Sequence, residues 1–269
     1  MQREETAAPQ NRSDRVFWAV KCRGKLRTSG GSSSAGRAPV CGTGCRGFNP
    51  RLPPHPYEPA ELQKLFASMD EEETVRYKFF LGTACREQEV MYAAWPDIDF
   101  ARGIYHIRAK PDAGFTPKKH ESRYVKMPTE LVEVLKQRKK HAPHPRWIFV
   151  NGGGKPEGHF LEKLKRIAVR AKLNCGNCTA PWTEGRYPTR KITVTCKTHP
   201  VCQHHYLHRL RKTCASNWEA NGVPVRTIQY MLSHTSLETT MRYLGITNLD
   251  SLTDKIDAAA AVGTADVGD

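Results

Sequence analysis

The sequence predicts a mainly helical α+β fold with a small three-stranded antiparallel sheet, on three observations. Apolar residues recur at helical spacing from about Tyr57 to Ala94. They then switch to short extended runs broken by glycine and proline. Helical spacing returns from Pro128 and recurs in segments up to Leu244. A change of period from 3.6 to 2 and back marks one block of strands inside a helical domain.

Pro59 suits the first turn of a helix, and Leu62, Leu65 and Phe66 fall on one of its faces. Thr74 to Cys85 reads as a second helix. Arg86 to Ala94 reads as a short third one, ended by Trp95-Pro96. The extended runs hold Ile98 and Phe100, Tyr105 and Ile107, and Tyr124 and Val125, with Gly103, Pro111, Gly114 and Pro117 between them. Further helices are expected at Pro128–Lys140, His159–Lys172, Tyr206–Asn221, Val225–Leu232 and Leu237–Leu244, with one more strand at Trp147–Val150.

The remaining segments lack this order. Residues 1–54 form a basic stretch rich in Gly, Ser, Arg and Pro, read as disordered, with Cys41 and Cys45 too isolated to make a site. Residues 173–205 interrupt the helices with Cys, His, Pro and Thr. Residues 249–269 close an acidic tail in which one short helix around Leu252–Ala260 is expected. A single ordered domain over 55–248, carrying the 173–205 insertion, follows from these boundaries.

The formal charge of +15 points to a polyanionic partner, most simply nucleic acid, since clustered Lys and Arg meet phosphates favourably. Between Lys155 and Lys212 there are thirteen Lys and Arg against three acidic residues, so the excess is concentrated on one stretch. Nothing reads as a membrane span or a signal peptide, which favours the cytoplasm, where thiols stay reduced. Nine cysteines then ask for a metal or for buried thiols before disulfides.

Two segments carry the chemistry. In His208-Arg209-Leu210-Arg211 the first and last residues lie three apart, so they share a helical face above Leu207, Leu210 and Cys214. Alone, that pattern is an ordinary basic helix. The second segment, Leu232-Ser233-His234-Thr235-Ser236-Leu237-Glu238-Thr239-Thr240-Met241-Arg242-Tyr243, has a serine cap at Ser236 and places Tyr243 about two turns into the next helix. Together, in this order, they resemble the two C-terminal boxes of the phage integrase, or tyrosine recombinase, family. Leu81-Gly82-Thr83-Ala84-Cys85-Arg86-Glu87-Gln88-Glu89 resembles the family's earlier arginine box, with Cys85 and Gln88 where leucine and serine are usual. Phe115-Thr116-Pro117-Lys118-Lys119 followed by Arg123-Tyr124-Val125-Lys126-Met127-Pro128 resembles its lysine hairpin.

The resemblance, over about residues 55–248, implies the tyrosine recombinase catalytic-domain fold. It also implies a site of Arg86, Lys118 (with Lys119 as the alternative), His208, Arg211, His234 and the nucleophile Tyr243. The implied reaction is cleavage and rejoining of double-stranded DNA through a 3′-phosphotyrosyl link, by a homo-oligomer, a tetramer on DNA, needing no cofactor for catalysis. The chemistry agrees with the residue types. Two guanidiniums can grip the nonbridging phosphate oxygens and offset the charge that grows in the transition state. A phenol is both nucleophile and leaving group, so the linkage can be reversed. The resemblance assigns His208 to the tyrosine proton, Lys118 to the departing 5′-hydroxyl, and His234 to the phosphate or its neighbours.

Cys175-Gly176-Asn177-Cys178 is a C-x-x-C knuckle, and Cys196 and Cys202 follow it. Four thiols in two turns suit a tetrahedral zinc, with His199 or His204 able to replace one ligand. The family does not generally have this insertion, and a loop with incidental thiols is the competing reading. Two other functions compete with the recombinase: a DNA-binding protein without catalysis, and a type IB topoisomerase sharing the same chemistry. Tyrosine recombinases usually carry an N-terminal helical domain that closes a clamp on the duplex. Residues 1–54 are too short and irregular for it, so a fragment, a mis-started reading frame or a decayed element is expected.

Overall fold

The computed structural model describes residues 55–185 and 190–245. The 1–54 segment with Cys41 and Cys45, the helix expected at Leu252–Ala260 and the acidic tail lie outside the described residues. Eight helices occur among the described residues: α1 (Pro59–Ala67), α2 (Glu71–Thr83), α3 (Glu87–Met91), α4 (Thr129–Lys140), α5 (Phe160–Arg170), α6 (Leu207–Ala220), α7 (Val225–Leu232) and α8 (Leu237–Leu244). Strands β1 (Ile98–Asp99), β2 (Ile104–Ile107) and β3 (Arg123–Lys126) form one antiparallel sheet in the order β1-β2-β3. The mainly helical fold with a small three-stranded sheet is therefore as the sequence predicts. None of these helices is long and apolar enough to cross a membrane.

Helix α2 begins three residues earlier than its apolar periodicity suggests. Asp70 caps it: its carboxylate accepts from Glu73 N at 2.7 Å, and Glu73 answers by accepting from Asp70 N at 3.1 Å. It stops at Thr83 because Ala84 turns left-handed at φ +50°. Tyr77, Phe79 and Phe80 are fully buried, with Phe79 edge-on to Tyr105 of β2 and Phe149, and Phe80 edge-on to Phe160 of α5. Gly82 lets α2 approach the start of α4, since a Cβ there would lie 2.7 Å from Leu131 Cδ2.

Two expectations need correction. Trp147–Val150 is not a strand. It makes only isolated bridges, Ala94 to Trp147 and Val150 to Pro156, although Trp147, Ile148 and Phe149 are buried. Pro156 has no N–H to give, so the pairing cannot extend. Conversely, the 173–205 segment, read without strands, contains an antiparallel pair of six-residue strands, β4 (Thr179–Glu184) and β5 (Arg190–Thr195). Pro181 and Gly185 hid it, and most of its side chains are exposed, so no apolar alternation marked it.

Candidate active site

The site is built where α2, α6 and α7 end or begin against one another. Helix α7 ends at Leu232 because Ser233 is left-handed at φ +53°. The carbonyls of Leu232 and Ala84 are thus presented to α6. Buried Arg211, three residues after His208, donates one Nη to each of them. A cation across two helix C-termini is well placed for both dipoles. Arg86, at the N-cap of α3, donates to the same Leu232 carbonyl at 3.3 Å, so two guanidiniums meet at one oxygen. Burial, then repulsion from Arg86, lowers the Arg211 pKa to about 10, which leaves it protonated at neutral pH.

One carboxylate organises the floor. Glu89 is buried and takes a two-point contact from Arg123 at 2.8 and 2.7 Å, the Arg86 guanidinium at 3.0 Å and the Arg86 backbone N–H at 2.7 Å. Arg123 also donates to the Met231 carbonyl at 2.9 Å. Arg123 entered the sequence reading only as part of the hairpin motif. Its signal was legible: in β3 it shares the inward face with Val125, an unusual place for a charge without a buried partner. Two guanidiniums on one carboxylate, with Arg211 meeting Arg86 at the Leu232 carbonyl, leave a local excess of positive charge, which suits an anionic ligand.

Tyr243, on α8, is half-buried. Its ring lies edge-on to His234, 5.2 Å between centroids, and 6.0 Å from Lys212 Nζ. Its hydroxyl donates to the main-chain carbonyl of His208 at 3.3 Å. Burial pushes the phenol pKa above the usual tyrosine range, and Arg211 partly opposes this. Helix α8 starts at Ser236, whose hydroxyl accepts from Thr239 N at 3.1 Å. His234 Nδ1 lies 3.1 Å from the buried Thr240 hydroxyl. The structure therefore brings Arg86, Arg211, His234 and Tyr243 together by direct contact or a shared partner. The His208 side chain is exposed on the first turn of α6. Lys118 is exposed in a short turn between β2 and β3, near enough for its charge to act on His234.

Two histidines near this region are held neutral. Burial, then the charges of Arg211, Arg86, Arg123 and Lys118, lowers the His234 pKa to about 4. Burial likewise lowers His205, at the entry to α6, to about 4. In the unfolded chain both protonate near 6.5. Both shifts are depressions, so their contribution to stability is present above pH 6.5 and is lost as pH falls toward 4. Urea denaturation from pH 7 to 4 is expected to show a falling midpoint, and protonation of the His234 ring followed by NMR should have its midpoint near 4.

Outside this site, the Sγ atoms of Cys175, Cys178, Cys196 and Cys202 all lie within 4.8 Å of one another. His199 and His204, the alternative ligands, are not part of this cluster. The His199 Nδ1 instead lies 2.9 Å from the Thr198 hydroxyl.

Residues 57–248 match the family model described as the phage integrase family. The tyrosine recombinase XerC of Chlamydia caviae is 26% identical over 204 residues, covering 72% of this chain and 56% of the relative. That of Oceanobacillus iheyensis is 26% identical over 200 residues, covering 70% and 55%. The chain thus spans slightly more than half the length of these relatives. Among solved structures, the XerA recombinase superposes with a TM-score of 0.54 at 19% identity, over 80% of this chain and 67% of that one. The Tn1549 transposon integrase bound to transposon right end DNA gives 0.56 at 16% identity, over 79% and 68%. The fold of the described residues is thus that of these recombinases, and the chain belongs to the phage integrase family.

Proposed function

We propose that this chain is the catalytic part of a site-specific tyrosine recombinase that cleaves and rejoins double-stranded DNA through a 3′-phosphotyrosyl link at Tyr243. The observation that carries the reading is the meeting of Arg86 and Arg211 at the Leu232 carbonyl, with the Tyr243 ring against His234 beside them. A scissile phosphate entering here meets two forked donors fixed in advance by backbone carbonyls and by Glu89. Such fixed donors stabilise the added negative charge of the transition state without reorganising.

Tyr243 Oη then attacks phosphorus. The O–P bond to Tyr243 forms as the bond to the 5′ oxygen breaks, and the number of phosphodiesters is unchanged. The phenol gives up its proton with assistance from His208, the leaving 5′ oxygen gains one from Lys118, and His234 hydrogen-bonds the phosphate. A 5′-hydroxyl of another strand reverses the step. The guanidiniums supply the positive charge, so the reaction is assigned no cofactor. Exchange between duplexes calls for several copies on DNA, which the family resemblance sets at four.

A duplex nicked beside the cleavage point tests this, because the short 5′-hydroxyl fragment diffuses away and leaves the adduct trapped. Low salt and high protein concentration favour binding. The expected result is a covalent adduct that maps to Tyr243. Arg211→Lys keeps the charge but loses the planar fork, so adduct formation should slow by about 100- to 1,000-fold. Tight binding with no adduct would support a DNA-binding protein without catalysis. Relaxation of supercoils without strand transfer between duplexes would support the topoisomerase reading.

A further inference from the structure

We propose that Cys175, Cys178, Cys196 and Cys202 bind one zinc ion, and that this ion is a clip that holds the N-terminal turns of α6 in place. The metal site stands on its own geometry. Only the consequence for catalysis rests on the function proposed above.

The sulfur separations fit a shared ion. Cys175 Sγ lies 3.4 Å from Cys178, 3.8 Å from Cys196 and 3.9 Å from Cys202. A disulfide would need about 2.05 Å. Four thiolates at about 2.3 Å from a tetrahedral zinc stand about 3.8 Å apart, by the geometry of the tetrahedron. The backbone is shaped for the same purpose. Gly176 takes φ +83° and turns the first knuckle. The N–H groups of Asn177 and Gln203 point at the sulfurs of Cys175 and Cys178, at 3.5 and 3.4 Å. Cys196 N donates to the Cys178 carbonyl at 2.9 Å and ties one knuckle to the other.

Beyond its backbone ladder the hairpin has little apolar burial to hold it together, with Ala180, Trp182 and Ile192 only partly buried. Its buried cluster consists of Val194, Cys196, Val201 and Cys202, so half of it is the proposed ligands. A segment this small ordinarily needs a staple to fold. A metal at the quartet is that staple.

The clip closes on α6 through His205. Its two stems leave α5 at Leu173 and enter α6 after Cys202. His205 is completely buried between them, with Nε2 3.2 Å from the Leu173 carbonyl and Nδ1 2.9 Å from the Tyr57 hydroxyl. A carbonyl only accepts, so Nε2 carries the hydrogen and Nδ1 accepts from Tyr57. Tyr57 N in turn donates to Thr213 Oγ1 on α6 at 2.7 Å, and the Arg209 guanidinium sits 3.9 Å above the Tyr57 ring. Asn174 Nδ2 binds the Cys196 carbonyl at 2.6 Å, which joins the first stem to the second knuckle. The quartet thus pins both stems just outside the contact that seats the helix of His208 and Arg211. Without the ion the stems part, His205 loses Leu173 and Tyr57, and the first turns of α6 fray.

Metal analysis of the purified chain is expected to give one zinc per chain. Replacement by Co2+ should give the intense thiolate-to-cobalt absorption of a four-sulfur tetrahedral site. Cys175→Ser with Cys202→Ser should lose the metal, and because that variant can also fail to fold, the cobalt spectrum of the parent chain decides the ligand set. Chelation should then speed hydrogen exchange in the first turns of α6 by about tenfold or more, while α4 stays protected. Absence of zinc, or a cobalt spectrum without thiolate bands, overturns the metal site. Bound metal whose removal leaves α6 exchange unchanged overturns the clip. None of these readouts involves DNA, so a failure here is distinguishable from a failure of the recombinase reading.

Discussion

Tyr243→Phe is expected to bind the nicked duplex as the parent chain does and to form no covalent adduct. The substitution is conservative for the fold. The ring keeps its edge-on contact with His234 and its place near Lys212. What is lost is one 3.3 Å hydrogen bond to the His208 carbonyl, worth about 0.5–1.5 kcal/mol. Loss of the adduct then reports chemistry and not unfolding, which a circular dichroism melt within a few degrees of the parent would verify. The neighbouring hydroxyl of Thr240 is buried and engaged with His234, so it is poorly placed to substitute. An adduct formed by Tyr243→Phe would place the nucleophile elsewhere.

Glu89→Gln is expected to cost about 3–5 kcal/mol of folding stability, the scale for breaking a buried ion pair. The amide keeps the shape but leaves Arg123, and beside it Arg86, without a counter-charge. The pH dependence gives an independent measure. Burial alone would raise the Glu89 carboxyl, but the hydrogen bonds and charge of Arg123, then the contacts from Arg86, hold it at about 2, against an ordinary 4.5. A depressed carboxylate contributes stability that is complete above its unfolded pKa and is lost as pH falls toward the folded value. That contribution is roughly 3 kcal/mol, lost between about pH 4.5 and 2. It lies below the histidine window, so the two losses separate on a pH axis. Glu89→Gln should abolish the lower one. Replacing both partners, Glu89→Gln with Arg123→Met, should cost less than the sum of the two single changes. A loss below about 1 kcal/mol for Glu89→Gln alone would mean that the pair is hydrated and weak.

Some elements were legible because their signals are local. Helices α7 and α8 appear with the bounds their periodicity suggests, since a proline before one and the Ser236 cap before the other mark their starts. Helix α2 was misplaced at its start because it is buried on several sides. Its apolar residues form no single stripe, and the Asp70 and Glu73 capping pair was the better guide. The hairpin β4–β5 was missed because a solvent-exposed strand shows no alternation to read.

Within the site, the resemblance of the ordered boxes to the phage integrase family singled out Arg86, Lys118, His208, Arg211, His234 and Tyr243 as candidates, and their residue types agree with the implied chemistry. Residue types and spacing by themselves singled out the four cysteines, since a C-x-x-C turn and two later thiols are a chemical pattern before they are a geometry. The partners of those residues came from the tertiary structure alone. Glu89 meets Arg123 only through the register that pairs Ile107 with Arg123, and Arg123 reaches the Met231 carbonyl across 108 positions of chain. His205 joins Tyr57 across 148 positions, and Arg211 joins the ends of two helices. Such contacts are chosen by packing, because a buried charge or imidazole must find its partner wherever the fold brings one, and sequence spacing carries no record of which segment that will be.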